Sequence, residues 1–225
     1  MRRTFEIGGK TVFVFHSNRP GSPVIYLNTY SDERQKIYEA VQATGCPPFT
    51  LVTVSNLAWN HDMAPWDSPA AFKKGEPFIG EADNYLQLLV EEIIPRAEKE
   101  LAEPPVWRGI AGYSLAGLFA LYAIYRTDVF SRVGCMSGSL WFPGFKEYIF
   151  SHEPKRRPDC IYFSLGDKEA KTRNSVLKTV QENTEEIQAF YQSKGIDTVF
   201  QLNPGNHFVQ GIERTIAGIQ WLLRR

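Results

Sequence analysis

Apolar residues in this chain fall into short, nearly continuous blocks separated by longer stretches with helical spacing. Residues 11–16, 23–28, 49–56, 107–113, 132–137, 160–165 and 198–203 are brief runs of β-branched and aromatic side chains, punctuated by glycine, proline and asparagine. That pattern predicts strands, and several are apolar at almost every position, as strands covered on both faces are. Between them, residues 174–194 place Val176, Leu177, Val180, Ile187, Phe190 and Tyr191 on one side and charges on the other, with Gly195 as the stop. Such spacing predicts an amphipathic helix. Residues 83–101 repeat it with Tyr85, Leu86, Leu89, Ile93 and Ala97, but Pro95 lacks an N–H and is expected to bend that helix or end it early. Residues 118–125 are apolar all round and predict a buried helix. The alternation from about residue 23 onward predicts an α/β architecture, a mostly parallel central sheet with helices on both faces. The first two predicted strands, separated by residues 17–22, are expected to pair as an antiparallel hairpin at the sheet edge.

One stretch follows neither period. Residues 57–80 carry two tryptophans, three prolines and a histidine. Long connections in compact domains are functional or disordered, and the aromatic content argues against disorder. The segment is read as a wall of an active-site mouth. No composition break, low-complexity segment or repeat divides the chain, so residues 1–225 are expected to form a single domain.

Six residues carry the chemistry: Gly112-Tyr113-Ser114-Leu115-Ala116-Gly117 lie between a predicted strand and a predicted helix. A serine on so sharp a strand-to-helix turn presents its hydroxyl from a strained backbone, with small neighbours because larger ones would collide with adjacent elements. The segment resembles the nucleophile elbow of α/β-hydrolases. Its departure from G-x-S-x-G is Ala116, which preserves close packing provided that the backbone there does not need a positive φ.

A serine hydroxyl needs a base, and the base needs a group that orients it and stabilises its charge. In this fold the partners follow in the order serine, acid, histidine, on loops at strand ends. His207, in Asn203-Pro204-Gly205-Asn206-His207-Phe208, alone among the four histidines follows the serine and occupies such a loop. The acid is either Asp167 or Glu169, both in the loop after residues 160–165. Oxyanion donors are expected from the backbone amide of Leu115, at the start of a helix, and from Thr29-Tyr30-Ser31, with Tyr30 the choice. Trp59, His61, Trp66 and Trp141 are candidate substrate contacts.

Composition narrows the classes. The 25 basic and 25 acidic residues cancel, which gives no electrostatic case for nucleic acid or an anionic membrane. The N-terminus does not read as a secretory signal, and no apolar run is long enough to span a bilayer. Three cysteines, Cys46, Cys135 and Cys160, show no metal-ligand spacing, and no metal or organic cofactor is implied. A reducing, cytoplasmic setting is expected.

The chain resembles the "putative esterase" family of α/β-hydrolases, the group of S-formylglutathione hydrolases, feruloyl esterases, mycolyltransferases and siderophore esterases. The resemblance runs through VIYLNTYSD, EEIIPRAE, GYSLAGLFALYAIYRTDVF, MSGSLWFPGF, LGDKE and GNHF. It implies a serine esterase with no large cap, in which Ser114, Glu169 and His207 match nucleophile, acid and base. Glutamate then stands where aspartate is commoner. Ser137, Ser139 and Trp141 match a segment that lies beside the nucleophile. The reading is therefore a carboxylic-ester hydrolase acting on a small-molecule ester through an acyl-enzyme. Acyl transfer, thioester hydrolysis or cleavage of a siderophore trilactone on the same triad are alternatives, and a non-catalytic binding protein of the same fold stands behind them.

Overall fold

The computed structural model describes residues 2–30 and 32–225. Eight strands form one sheet: β1 (Arg2–Ile7), β2 (Lys10–Phe15), β3 (Val24–Asn28), β4 (Thr50–Ser55), β5 (Arg108–Tyr113), β6 (Arg132–Met136), β7 (Cys160–Gly166) and β8 (Asp197–Asn203). Their order is β1-β2-β4-β3-β5-β6-β7-β8. The pairs β1–β2 and β2–β4 are antiparallel, and every pair from β4 through β8 is parallel.

The helices are α1 (Arg34–Ala43), a single turn α2 (Trp59–Asp62), α3 (Ala82–Leu88), α4 (Ile94–Glu98), α5 (Leu115–Arg126), α6 (Phe145–Ser151), α7 (Val180–Ser193) and α8 (Gly211–Leu223). Two apolar layers sandwich the sheet. On one face Ile37, Tyr38 and Val41 of α1 meet Ile219 and Leu222 of α8 over Ile25, Leu27 and Ala111. On the other, α3, α5 and α7 pack Tyr85, Phe119, Ile187 and Tyr191 against Val24, Tyr26, Ile110 and Phe163. Helix α5 is buried from Leu115 to Tyr125, as its uninterrupted apolar sequence requires. Among the described residues no helix is long and apolar enough to cross a membrane.

The expected edge hairpin forms from a different pair. Strand β3 does not pair with β2; it lies in the sheet interior between β4 and β5. All five of its residues are buried, which an edge position would not provide. The hairpin joins β2 to β1 through Gly8-Gly9, both with positive φ, the conformation a tight two-residue hairpin turn demands. Pro95 neither breaks nor stops its helix. Residues Leu89–Ile93 widen into a π-type turn, in which the Ile94 N–H reaches the Leu89 carbonyl, and α4 continues beyond it. The wider turn lets the chain absorb a residue that cannot donate.

Strand order reverses at β3: the chain proceeds outward to β4, then returns to β5 on β3's other side. At such a switch point the loops leaving neighbouring strands diverge and open a crevice at their carboxyl ends. The turn after β5 begins with Ser114, and the loop after β3 begins with Thr29.

Candidate active site

Ser114 has φ 61° and ψ −125°, a region costly for any residue with a Cβ. The turn is held in shape by packing. A Cβ on Gly112 would collide with the backbone and side chain of Ala116, so the strand and helix approach this closely only because residue 112 has none. Ala116 itself lies inside α5 and is not among the residues with positive φ. An alanine therefore serves where the usual pattern has glycine. The Ser114 N–H donates to the Met136 carbonyl at 3.0 Å, and the Ser139 N–H donates to the Ser114 carbonyl at 3.0 Å. These bonds fix the elbow from the neighbouring strand end.

The structure brings three distant side chains together. Ser114 Oγ lies 2.9 Å from His207 Nε2, and His207 Nδ1 lies 2.7 Å from Glu169 Oε2. The three come from the ends of β5, β7 and β8. Asp167, the other acid weighed for the site, accepts the Gly205 N–H at 2.8 Å and so braces the histidine loop. Glu169 is nearly buried, with its side chain 5% exposed. Burial pushes its carboxyl up, but the hydrogen bond and charge of His207, the Gly166 N–H and the Ser137 hydroxyl together hold it below the ordinary value. The carboxylate therefore faces the imidazole ionised.

Arg214 is the member that sequence reasoning missed. Its side chain is 1% exposed. Nη1 donates to Glu169 Oε1 at 2.8 Å, Ser137 Oγ at 2.9 Å and Tyr113 Oη at 3.2 Å. Nη2 donates to the carbonyls of Pro204 and Asn206 at 3.3 and 3.1 Å. Oε1 of Glu169 also accepts the Gly166 N–H at 2.6 Å and the Ser137 hydroxyl at 2.9 Å. One oxygen of the carboxylate is thus anchored, and the other is left for His207. Tyr113 Oη donates to the His207 carbonyl at 2.6 Å, which ties that histidine's own backbone to the same cluster.

The cleft above Ser114 measures about 620 Å³ and is walled by Leu27, Ile37, Ile212, Tyr30, Trp59 and Phe208. Of the expected substrate contacts, Trp59 lines it. The others lie elsewhere, because neighbouring elements claim them. Trp66 donates its indole N–H to the Pro143 carbonyl at 3.0 Å and packs on Phe142, Phe145 and Tyr148. Trp141 packs against Phe78 and Phe142. His61 Nδ1 lies 3.0 Å from Glu81. Trp66 of the 57–80 connection is therefore packed against α6 and the turn before it, and of that connection's described residues Trp59 is the one that lines the mouth. Tyr30 lines the cleft in the loop after β3; Ser31, named with it as a source of oxyanion donors, lies outside the described residues. Leu115 opens α5, where first-turn amides have no intrahelical acceptor. Ser139 Oγ lies 3.5 Å from Ser114 Oγ. Among the described residues no three His, Cys, Asp or Glu side chains are grouped so as to hold a metal ion.

The chain is 22% identical over 220 residues to the uncharacterized protein YbbA of Bacillus subtilis (strain 168), covering 92% of this chain and 88% of that protein. Its fold is similar to that of an IroE-like serine hydrolase from Shewanella oneidensis (TM-score 0.82, 18% identity, 100% of this chain and 80% of that one). The siderophore hydrolase EstA from Aspergillus nidulans is also similar (TM-score 0.77, 16% identity, 99% and 94%). At these identities the likeness speaks for the fold, a mostly parallel α/β-hydrolase sheet. A family model described as "Putative esterase" matches residues 12–218, a span that takes in the elbow, the acid loop and the histidine loop. By that match this chain belongs to the esterase family so described, and it is a carboxylic-ester hydrolase.

Proposed function

We propose that the ester is cleaved in two steps through an acyl-serine, with Ser114 as nucleophile, His207 as base and Glu169 as the group that orients and stabilises the base. The observation that carries this reading is the unbroken relay from Ser114 Oγ through the imidazole to Glu169, with contacts of 2.9 and 2.7 Å. As Ser114 Oγ attacks the ester carbonyl, its proton passes to Nε2. The imidazolium formed is stabilised by the ionised carboxylate at Nδ1. The Leu115 N–H, with a backbone donor from the Tyr30 loop, receives the developing oxyanion. Collapse breaks the bond to the alcohol oxygen, which takes the proton from Nε2 and leaves. Water then attacks the acyl carbon, giving its proton to His207, which returns it to Ser114 as the acid departs.

The 620 Å³ cleft suits a small-molecule ester. The test is Ser114→Ala, assayed with p-nitrophenyl butyrate beside a thermal melt. We expect a melting temperature close to that of the wild type, because the substitution deletes one part-buried hydroxyl and its hydrogen bond to His207 and leaves the packing of the elbow in place. Turnover should fall by about three orders of magnitude or more, and a fluorophosphonate probe that labels the wild type should leave the variant unlabelled. A variant that keeps its esterase rate would overturn the assignment.

A further inference from the structure

We infer that the alcohol half of the natural ester carries a positive charge, an ammonium-type group received by the Glu213 carboxylate and the Phe208 ring on the histidine side of the cleft. The inference rests on the roles proposed for Ser114 and His207, and it adds a substrate class to them.

The whole chain is electrically balanced, with 25 basic and 25 acidic residues. Its cleft is not. Among the described residues lining it, the charged groups are Glu33 and Glu213, with His207 at the floor and no lysine or arginine. The arginine adjoining each of these glutamates in sequence has partners of its own. Arg34 pairs with Asp32 and lies 3.4 Å over the Phe13 ring, and Arg214 is spent beneath the floor on Glu169. The mouth also displays two of the most exposed large apolar side chains of the protein, Tyr30 at 80% and Phe208 at 88%. Exposed carboxylates beside low-dielectric walls focus a negative field. Aromatic faces attract cations, and quaternary ammonium groups are bound this way. An anionic ester would meet like-charge repulsion in the same place.

Chemistry says which half of the substrate feels this. The departing alcohol oxygen must take its proton from His207 Nε2, so it lies against the imidazole. The residues leading on from His207 into the first turn of α8 include Phe208, Gln210 and Glu213, all in the cleft wall. A carboxylate in a first helical turn also favours the helix dipole. That role is indifferent to the substrate, so the test reads a ratio of substrates and not stability.

The experiment compares kcat/KM for three butyrate esters: of choline, of the neutral alcohol with tert-butyl in place of trimethylammonium, and of glycolate. The choline ester should exceed its neutral isostere by about fivefold at low ionic strength, and the advantage should shrink as salt is added. The glycolate ester should be slower than the isostere. Glu213→Gln should lower the choline-to-isostere ratio about threefold; if that variant does not fold, the wild-type series and its salt dependence decide alone. A ratio of one or less, or a glycolate ester cleaved as fast as the isostere, overturns the inference and leaves the triad standing. A Ser114→Ala protein that cleaves the isostere as well as the wild type does overturns both.

Discussion

Replacing Arg214 tests whether the buried guanidinium holds Glu169 in place for the role proposed for it. The guanidinium is buried and makes five hydrogen bonds: to the Glu169 carboxylate, the Ser137 and Tyr113 hydroxyls, and the carbonyls of Pro204 and Asn206. Arg214→Met keeps much of the side-chain volume and removes all five. Breaking a buried pair from one side leaves a desolvated charge and costs about 3–5 kcal/mol. For a protein stable by about 5–15 kcal/mol that is a large fraction, so a drop in melting temperature is expected. The catalytic effect is separate. Without its anchor, Oε1 is free to turn, and Oε2 no longer faces His207 Nδ1 in one geometry. We expect kcat to fall about 100-fold, close to 2.7 kcal/mol of transition-state stabilisation. KM should move little, because Arg214 lies below the cleft floor and does not line it. Arg214→Lys keeps a charge but not the planar fork, and should fall between. Adding Glu169→Gln to Arg214→Met removes the stranded charge; stability should partly recover while kcat does not. Steady-state kinetics with p-nitrophenyl butyrate and thermal melts by circular dichroism measure all of this. A folded Arg214→Met protein with kcat within about threefold of wild type would refute the reasoning.

Three further outcomes follow from the same geometry. Gly112→Ala puts a methyl group into the Ala116 backbone; it should destabilise by about 1–3 kcal/mol and depress kcat as the elbow shifts, both read by melts and kinetics. Tyr113→Phe removes the donor to the His207 carbonyl and an acceptor of Arg214. A loss of about 0.5–1.5 kcal/mol is expected, with kcat reduced more than KM is raised. The Glu169 carboxyl is held below its ordinary value in the folded protein, so its contribution to stability is present above the unfolded value and is lost as pH falls through the folded one. Between roughly pH 5 and 3 the wild-type melting temperature should therefore drop more steeply than that of Glu169→Gln; parallel curves would contradict the assignment of the shift.

What could be read from the chain divides along a physical line. Ser114 and His207 were legible because each sits in a local signal, a small-residue turn or a strand-end loop, that its immediate neighbours dictate. Seven of the eight strands were legible from their apolar runs. Strand β1 was not, since RRTFEI is a half-exposed edge strand with charges at its start. The position of β3 was misread because proximity in sequence favours a hairpin, whereas its complete burial favours the sheet centre. Residue type alone could not separate Trp59, at the cleft, from Trp66, whose partners lie in α6 and the turn before it; an aromatic ring suits either place. The choice between Asp167 and Glu169 turns on which loop each carboxylate reaches. Glu169 reaches the imidazole and Asp167 the Gly205 amide two residues before it, so both acids of the loop serve the same histidine. Arg214 did leave a trace. With Thr215, Gly218, Ile219 and Leu222 it falls on the buried stripe of α8, and an arginine on an apolar stripe requires a buried anion opposite it. The acid loop that follows Ser114 in the chain, at the end of β7, supplies that anion. The helical period of the last segment and the order of the strand-end loops, taken together, therefore point to Arg214 as the partner of one acid of that loop, though neither signal does so alone.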